Sequence, residues 1–344
     1  MTARFLVAGG IIIDNVVAAD GAVHRALMGG NAVHAAVGAR LWTDSVAVIG
    51  NVPADYPATL LDQLGTAIDI GAIATAEEKV EASEWFLYRA DGSRIDRLHA
   101  PADAYQKAGF GGDRLSPAQM RRWESVLRAQ PVGGADFGSF RRRHPVRPEQ
   151  IPSGARALHL GPSPPAVQAA LVAQARRHGT PVTLDPGFHA ASLSVAELQA
   201  FLDTVDAFLP SEVELAAMCP GLAPVDAVAR LRKRGSALVA AKLGARGSIV
   251  AARDGRSPTA IPACEVVPRD PTGAGDAFCG GFLVGLVETG DPVLAACLGT
   301  VSAAFAVEST GALAALRADR VLARSRLAGL LAPLRPHLRA ADFV

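Results

Sequence analysis

Asp270-Pro-Thr-Gly-Ala-Gly-Asp-Ala-Phe-Cys-Gly-Gly-Phe-Leu283 is the most informative stretch of this chain. Gly273, Ala274 and Gly275 are small residues that open a helix. The first turn of a helix has main-chain N–H groups with no internal acceptor, and the helix dipole adds positive potential there. The combination is an anion site suited to a phosphate. Asp276 falls inside that electropositive turn, where a carboxylate stays ionised and is placed to accept a proton from a substrate hydroxyl. Gly280-Gly281 lets the helix lie close to a neighbour. The pattern is neither G-x-x-x-x-G-K-[ST] nor G-x-G-x-x-G. The plain alternative is a Gly-rich helix start in which Asp276 merely complements the dipole.

Upstream runs a βα rhythm. Apolar stretches at Ala155–Leu160, Pro181–Asp185, Ala207–Leu209 and Ala237–Leu243 alternate with helical stretches at Pro165–His178, Val195–Val205, Glu212–Met218 and Ala223–Arg234. Residues 292–308 and 318–334 read as closing helices. Short continuous apolar strands alternating with helices argue for a parallel sheet covered on both faces, with ligands beyond the carboxyl ends of the strands.

At the N-terminal end, Phe5–Ala8 reads as a first buried strand, followed by Gly9-Gly10 and Ile11–Asp14. Val16–Ala19, Asp20-Gly21 and Ala22–Leu27 form a hairpin signal, Asp-Gly favouring a type I′ turn. Gly29-Gly30-Asn31 opens a helix to about Leu41, and Ser45–Gly50 is another core strand. Glu81–His99, with Asp91-Gly92 at its turn, is a second hairpin. Two hairpins outside the core strands, about residues 14–28 and 80–99, suggest a small β-sheet lid; the alternative is two surface hairpins without function. In residues 101–150 the run Arg141-Arg142-Arg143-His144 reads as a solvated loop, with contact to an anionic ligand as the alternative.

Composition sets the outer bounds. Half of the 344 residues are hydrophobic, enough for a sizeable core. Lys+Arg (34) and Asp+Glu (33) balance to a net charge of +1, which gives no case for nucleic acid or an anionic membrane surface. Cys219, Cys264, Cys279 and Cys297 are widely spaced, with neither a disulfide nor a zinc pattern. The apolar run at the start is too short for a signal peptide, and no stretch reaches about 18 uninterrupted apolar residues. A reduced, cytoplasmic protein is the expectation.

The 270–283 segment resembles the C-terminal signature of the ribokinase-like carbohydrate kinases, the pfkB family, broadly D-T-x-G-A-G-D-x-F-x-G-G-F. Gly29-Gly-Asn-Ala-Val-His-Ala-Ala-Val-Gly-Ala-Arg40 resembles the family's G-G-x-x-x-N-x-A, and Val7-Ala-Gly-Gly-Ile-Ile-Ile-Asp14 its opening strand with an acidic sugar ligand. Pro210-Ser211-Glu212-Val213-Glu214 resembles P-N-x-x-E, Lys242-Leu243-Gly244-Ala245-Arg246-Gly247-Ser248 the nucleotide loop T/K-L-G-x-x-G, and Ala304–Gly311 the stretch closing the adenine pocket. The match runs over roughly residues 5–315 in the family's order. Departures are His34 for the usual Asn, Ile12 for a polar residue, Val52-Pro53-Ala54-Asp55 for V-G-x-D, Ser211 for Asn, and Asp185-Pro-Gly-Phe-His189 for D-x-N-x-R.

The resemblance implies one ribokinase-like domain over residues 1–344, a three-layer α/β/α sandwich with a mostly parallel central sheet and a small β-sheet lid. It implies Asp276 as catalytic base, with Gly273, Ala274 and Gly275 as the anion hole for the transferred phosphoryl group. Asp14, Gly30, Asn31 and His34 would hold the acceptor. Lys242, Gly244, Gly247, Thr272 and Gly311 would line the nucleotide site, and Glu214 would act on Mg²⁺ through water. Asp270, Thr272, Ala306, Ser309 and Gly311 are candidates for a monovalent cation such as K⁺. The implied reaction is ATP-dependent phosphoryl transfer to a hydroxyl of a sugar. The same mechanism with a nucleoside acceptor, its base against Ile12, Trp85 and Phe86, and a catalytically silent sugar- or nucleotide-binding protein are the alternatives. An exposed lid sheet can be shared between two chains, so a homodimer through the lid is the further expectation.

Overall fold

The computed structural model describes residues 4–97, 100–130, 137–252 and 257–335. Thirteen strands are formed among them: β1 Phe5–Ala8, β2 Ile12–Val17, β3 Val23–Gly29, β4 Val46–Val52, β5 Asp69–Thr75, β6 Ser83–Tyr88, β7 Arg94–Arg97, β8 Ala157–Leu160, β9 Val182–Leu184, β10 Ala207–Phe208, β11 Leu238–Lys242, β12 Ser248–Ala251 and β13 Thr259–Ile261. Nine of them make the main sheet, in the order β13-β12-β11-β10-β9-β8-β1-β4-β5. The run from β5 to β11 is parallel, and the last two strands are antiparallel.

Both faces of this sheet are buried, which is why its strands read as continuous apolar runs. Phe5, Val7, Val46, Val48, Leu238 and Ala240 pack on one side with Val33, Phe282 and Leu298. Leu6, Ala8, Ala47, Ile49, Val239 and Ala241 pack on the other with Leu171, Phe201 and Leu231. The result is a three-layer α/β/α sandwich.

The helices Asn31–Arg40, Ala274–Thr289 and Pro292–Glu308 approach one another almost backbone to backbone. A Cβ on Gly280 would stand 1.8 Å from the Ala35 carbonyl oxygen, and one on Gly281 2.4 Å from Ser302 Oγ. Gly280 therefore sets how near the 274–289 helix comes to the 31–40 helix, and Gly281 how near it comes to the 292–308 helix. No helix among the described residues is long and apolar enough to cross a membrane.

The two hairpins join into one separate four-stranded sheet, β3-β2-β6-β7, through a parallel β2–β6 pairing. Their turns are alike and are not type I′. Gly21 N–H donates to Ala18 O and Gly92 N–H to Arg89 O, closing the loops. Only the glycine of each Asp-Gly pair has positive φ, 87° at Gly21 and 80° at Gly92, whereas type I′ needs it at both central residues. Leu98 and His99, at the end of the second hairpin, lie outside the described residues, as does the tail from 336.

Residues 104–129, opaque in sequence, cover the outer face of the small sheet. Trp85, Leu87 and Ile95 pack there with Tyr105, Phe110, Trp123 and Leu127. Trp85 stacks on Tyr105 at 5.6 Å and meets the edge of Trp123 at 4.9 Å. Trp85 therefore faces away from the acceptor side and cannot line a base pocket, and Ile12 is buried in the main core. The outer face of the small sheet is occupied by the chain's own residues 104–129, which leaves the edge strands β3 and β7 as the part of the lid open to sharing between two chains. The arginine run is helical, Phe137–Arg143, not a solvated loop. Arg143 Nε donates to Glu78 at 3.2 Å, His144 Nε2 pairs with the same carboxylate at 3.0 Å, and Arg141 turns inward.

Candidate active site

The 270–276 turn is built by local chemistry. Asp270 Oδ1 accepts the Thr272 N–H at 2.9 Å, and Gly273 takes φ 71° at the N-cap of the 274–289 helix. Ala274 N–H donates back to Pro271 O, while the N–H groups of Gly273, Gly275 and Asp276 find no acceptor among the described residues. Asp276 is half-buried beside them. Burial first, then the negative charge of Asp185, push its carboxyl up to about 6, with His34, Lys242 and Arg94 opposing.

The acceptor-side residues converge on this turn. A Cβ on Gly273 would stand 2.0 Å from His34 Cγ, so the imidazole lies against the Gly273 α-carbon. His34 Nε2 donates to Asp14 Oδ2 at 3.3 Å, while Asp14 Oδ1 is buried without a partner. Burial alone would lower His34, but the bond to Asp14 and the charges of Asp14, Asp276 and Asp270 outweigh it and raise the imidazole. A bulge between Asp14 and Val16 turns the strand at this point, and Asn15 Oδ1 holds it by accepting the Ala26 N–H at 3.0 Å. Gly30 has φ 97° and sits on the Gly10 carbonyl. Asn31 Oδ1 accepts the Gly10 N–H at 2.8 Å and its Nδ2 donates to Pro162 O at 3.2 Å. Asn31 therefore ties together the ends of β1 and β8.

On the nucleotide side the structure adds a partner for Lys242. Its ammonium forms a buried ion pair with Asp185, and Cys279 Sγ lies 3.6 Å away. Glu214 is the N3 residue of the Glu212–Met218 helix, accepting the Ser211 N–H at 2.6 Å in a capping box. Burial and the neighbouring Asp185 raise it to about 7. Gly244 and Gly247 have φ 58° and 84°. Gly244 faces open space, whereas a Cβ on Gly247 would strike the Ile261 carbonyl at 2.0 Å.

Asp270 Oδ2 accepts the Gly311 N–H at 3.3 Å, so Asp270, Thr272 and Gly311 are joined by direct bonds. Ala306 O accepts the Ser309 N–H, and Ser309 Oγ donates to Phe305 O.

Four further side chains reach this region, of which the sequence singled out only Arg141, as an alternative contact to an anionic ligand. Tyr88 on β6 shares a 2.8 Å hydrogen bond with Thr272 Oγ1, tying the small sheet to the anion turn. Arg94 on β7 lies over the Phe86 ring at 4.8 Å and approaches Tyr88 OH at 3.4 Å. Glu84 stands beside Asp14 in the β2–β6 register, and Arg141 Nη2 donates to Pro162 O at 3.2 Å. For Glu84 the Glu84–Trp85–Phe86 alternation was the available signal; for Arg141 it was the basic run.

Residues 149–319 match the model of the pfkB family of carbohydrate kinases. A cytidine kinase of Thermococcus kodakarensis is 27% identical over 283 residues, 81% of this chain and 87% of that protein. Among solved structures, the Burkholderia thailandensis nucleoside kinase in complex with inosine superposes with a TM-score of 0.67 at 18% identity, covering 95% of this chain and 96% of that one. Arabidopsis thaliana ribokinase complexed with ribose and ATP gives 0.66 at 20% identity, covering 95% and 99%. These structural likenesses establish a shared ribokinase fold.

Proposed function

The chain carries a ribokinase-like domain of the pfkB carbohydrate kinase family, a kinase, and on that premise we propose that it transfers the γ-phosphoryl group of ATP to a hydroxyl of a sugar ring, free or within a nucleoside. The observation that carries this reading is the half-buried Asp276 carboxylate beside three unclaimed main-chain N–H groups. Asp276 accepts the proton of the acceptor hydroxyl. The hydroxyl oxygen bonds to the γ-phosphorus, the bond to the bridging oxygen breaks, and ADP leaves. The amides of Gly273, Gly275 and Asp276 stabilise the charge on the migrating group.

Asp14 and His34 orient the acceptor, Asp14 Oδ1 being the free buried acceptor atom for a ring hydroxyl. The small sheet acts as a lid over this site, excluding water that would otherwise hydrolyse ATP. No group of three or more His, Cys, Asp or Glu able to hold a metal occurs among the described residues. Mg²⁺ keeps several waters and is held largely by nucleotide phosphates. Glu214, with Asp185 nearby, would face its waters, and the ion when bound neutralises phosphate charge.

The test is ADP release with ATP and a panel of sugars and nucleosides. Acceptor-dependent release that Asp276→Asn abolishes while ATP still binds supports the reading. Turnover that survives Asp276→Asn, or binding with no turnover of any acceptor, rejects it.

A further inference from the structure

We propose that Glu84 and Arg141 read the end of the acceptor remote from the phosphorylated hydroxyl, and that this end is a nucleobase edge presenting a hydrogen-bond donor next to an acceptor; the substrate is then a nucleoside and not a free sugar, a narrowing that rests on the kinase reading above.

Glu84 points to the inner face of the small sheet. Its neighbours at alternate positions on β6, Phe86 and Tyr88, pack toward the main core and the anion turn, while Trp85 and Leu87 pack outward. It is only 7% exposed and makes no hydrogen bond or ion pair with another described residue, yet its oxygens are not sealed from solvent. A mostly buried carboxyl whose oxygens remain reachable fits a partner that arrives with a ligand.

Arg141 supplies the complementary donors. Its guanidinium lies over Gly10, with Cζ and Nη2 3.1 and 3.2 Å from where a Cβ would stand. One N–H is used, on the same Pro162 carbonyl that Asn31 holds. Arg141 has no carboxylate within 4.0 Å among the described residues, although Glu84 lies near enough to act on it electrostatically. The remaining N–H groups of the fork are free to donate.

The two groups therefore offer an acceptor and a set of donors that do not satisfy each other. An amide or amidine edge of a nucleobase satisfies both, its N–H meeting Glu84 and its carbonyl or ring nitrogen meeting Arg141. Burial first, then the charges of Asp96 and Asp14, raise the Glu84 carboxyl to about 8, so near neutral pH it is protonated and its carbonyl oxygen is still an acceptor. A free pentose carries only a hydroxyl at the carbon that bears the base in a nucleoside and cannot present an adjacent donor and acceptor to the two groups, a deficit that a polar site discriminates against.

The experiment measures kcat and KM for cytidine, uridine and ribose with ATP, using the wild type, Glu84→Gln, Arg141→Met and Arg141→Lys. The wild type should favour the nucleosides in kcat/KM by about 100-fold or more. Glu84→Gln and Arg141→Met should each lower nucleoside kcat/KM by about 10- to 100-fold, mainly through KM, and shrink the nucleoside-to-ribose ratio. Arg141→Lys keeps the charge and the fold but loses the fork, and should show the same loss of ratio. A wild type that prefers ribose, or variants that leave the ratio unchanged, would overturn the proposal. If no acceptor is phosphorylated, the kinase reading fails by itself, and calorimetric binding of cytidine and ribose decides this one. Tighter cytidine binding that Glu84→Gln weakens supports it, and equal or absent binding rejects it.

Discussion

His34 rests its imidazole on the α-carbon of Gly273, so that the residue holding Asp14 also forms a wall of the anion turn. Gly273 is needed twice over. Its φ of 71° is costly for any residue with a side chain, by about 1–2 kcal/mol. A Cβ would also overlap the imidazole, displacing it from Asp14. Gly273→Ala should therefore lower Tm and reduce kcat by at least about tenfold, since misplacing the anion donors by a fraction of an ångström weakens them. Gly244→Ala is the control for backbone strain alone, because φ there is 58° and nothing lies within 4 Å of its Cβ. It should lower Tm less than Gly273→Ala. Equal losses of Tm in thermal melts would show that the His34 contact is unimportant.

Asp276 titrates at about 6, which sets the acid limb of the pH profile. Below that pH its carboxyl is protonated and cannot take the acceptor's proton. Log kcat/KM should rise with a slope near one up to about pH 6 and level off above it. The stability effect has the opposite sign. The folded pKa is raised, so the folded state binds this proton more tightly than the unfolded chain does. That advantage is complete below the unfolded value of 3.8 and is lost as pH rises through about 6. Asp276→Asn should thus gain Tm relative to wild type between pH 4 and pH 7, while losing turnover throughout. A flat activity profile from pH 5 to 7 would contradict the assignment.

The βα half of the molecule was legible because strands buried on both faces keep an apolar run intact, as in Leu238-Val-Ala-Ala241. The anion turn was legible because its signal is local: glycine φ, free amides and an acid within one helical turn. What could not be read depends on pairing across sequence. The alternation around Trp85 says that two faces exist, but only Tyr105 and Trp123 arriving from elsewhere decide which is outside. Lys242 and Asp185 stand 57 residues apart, and no periodicity links them. Asp-Gly named both hairpin turns, yet their type followed from loop length, which strand ends Val17 and Val23 fix only on pairing.

The Lys242–Asp185 pair lends itself to a direct test, since side-chain exposures of 11% and 4% make it a buried pair. Removing one partner from such a pair strands the other charge and costs about 3–5 kcal/mol. Lys242→Met should lose stability of that order by denaturant unfolding. Lys242→Met with Asp185→Leu should recover part of it, because neither charge remains buried. If Lys242 instead serves only an incoming phosphate, Lys242→Met would leave the stability of the ligand-free protein untouched and raise only KM for ATP.

Trp123 closes the back of the small sheet and is fully buried between Trp85, Tyr105 and Phe110. Its loss removes the largest contact that the 117–129 helix makes with the sheet's outer face. A large aromatic cut to alanine in a core costs about 3–5 kcal/mol. Because the cluster is separate from the two clusters flanking the main sheet, the damage should be local. In Trp123→Ala the amides of β2 and β6 should exchange with solvent faster, while those of β1, β8 and β11 keep their protection. The newly exposed Trp85, Leu87 and Ile95 would also form an apolar patch, so the variant should form larger species than the wild type with rising concentration in size-exclusion runs. Uniform loss of protection across both sheets would show instead that the small sheet and its helical cover do not unfold as a unit of their own.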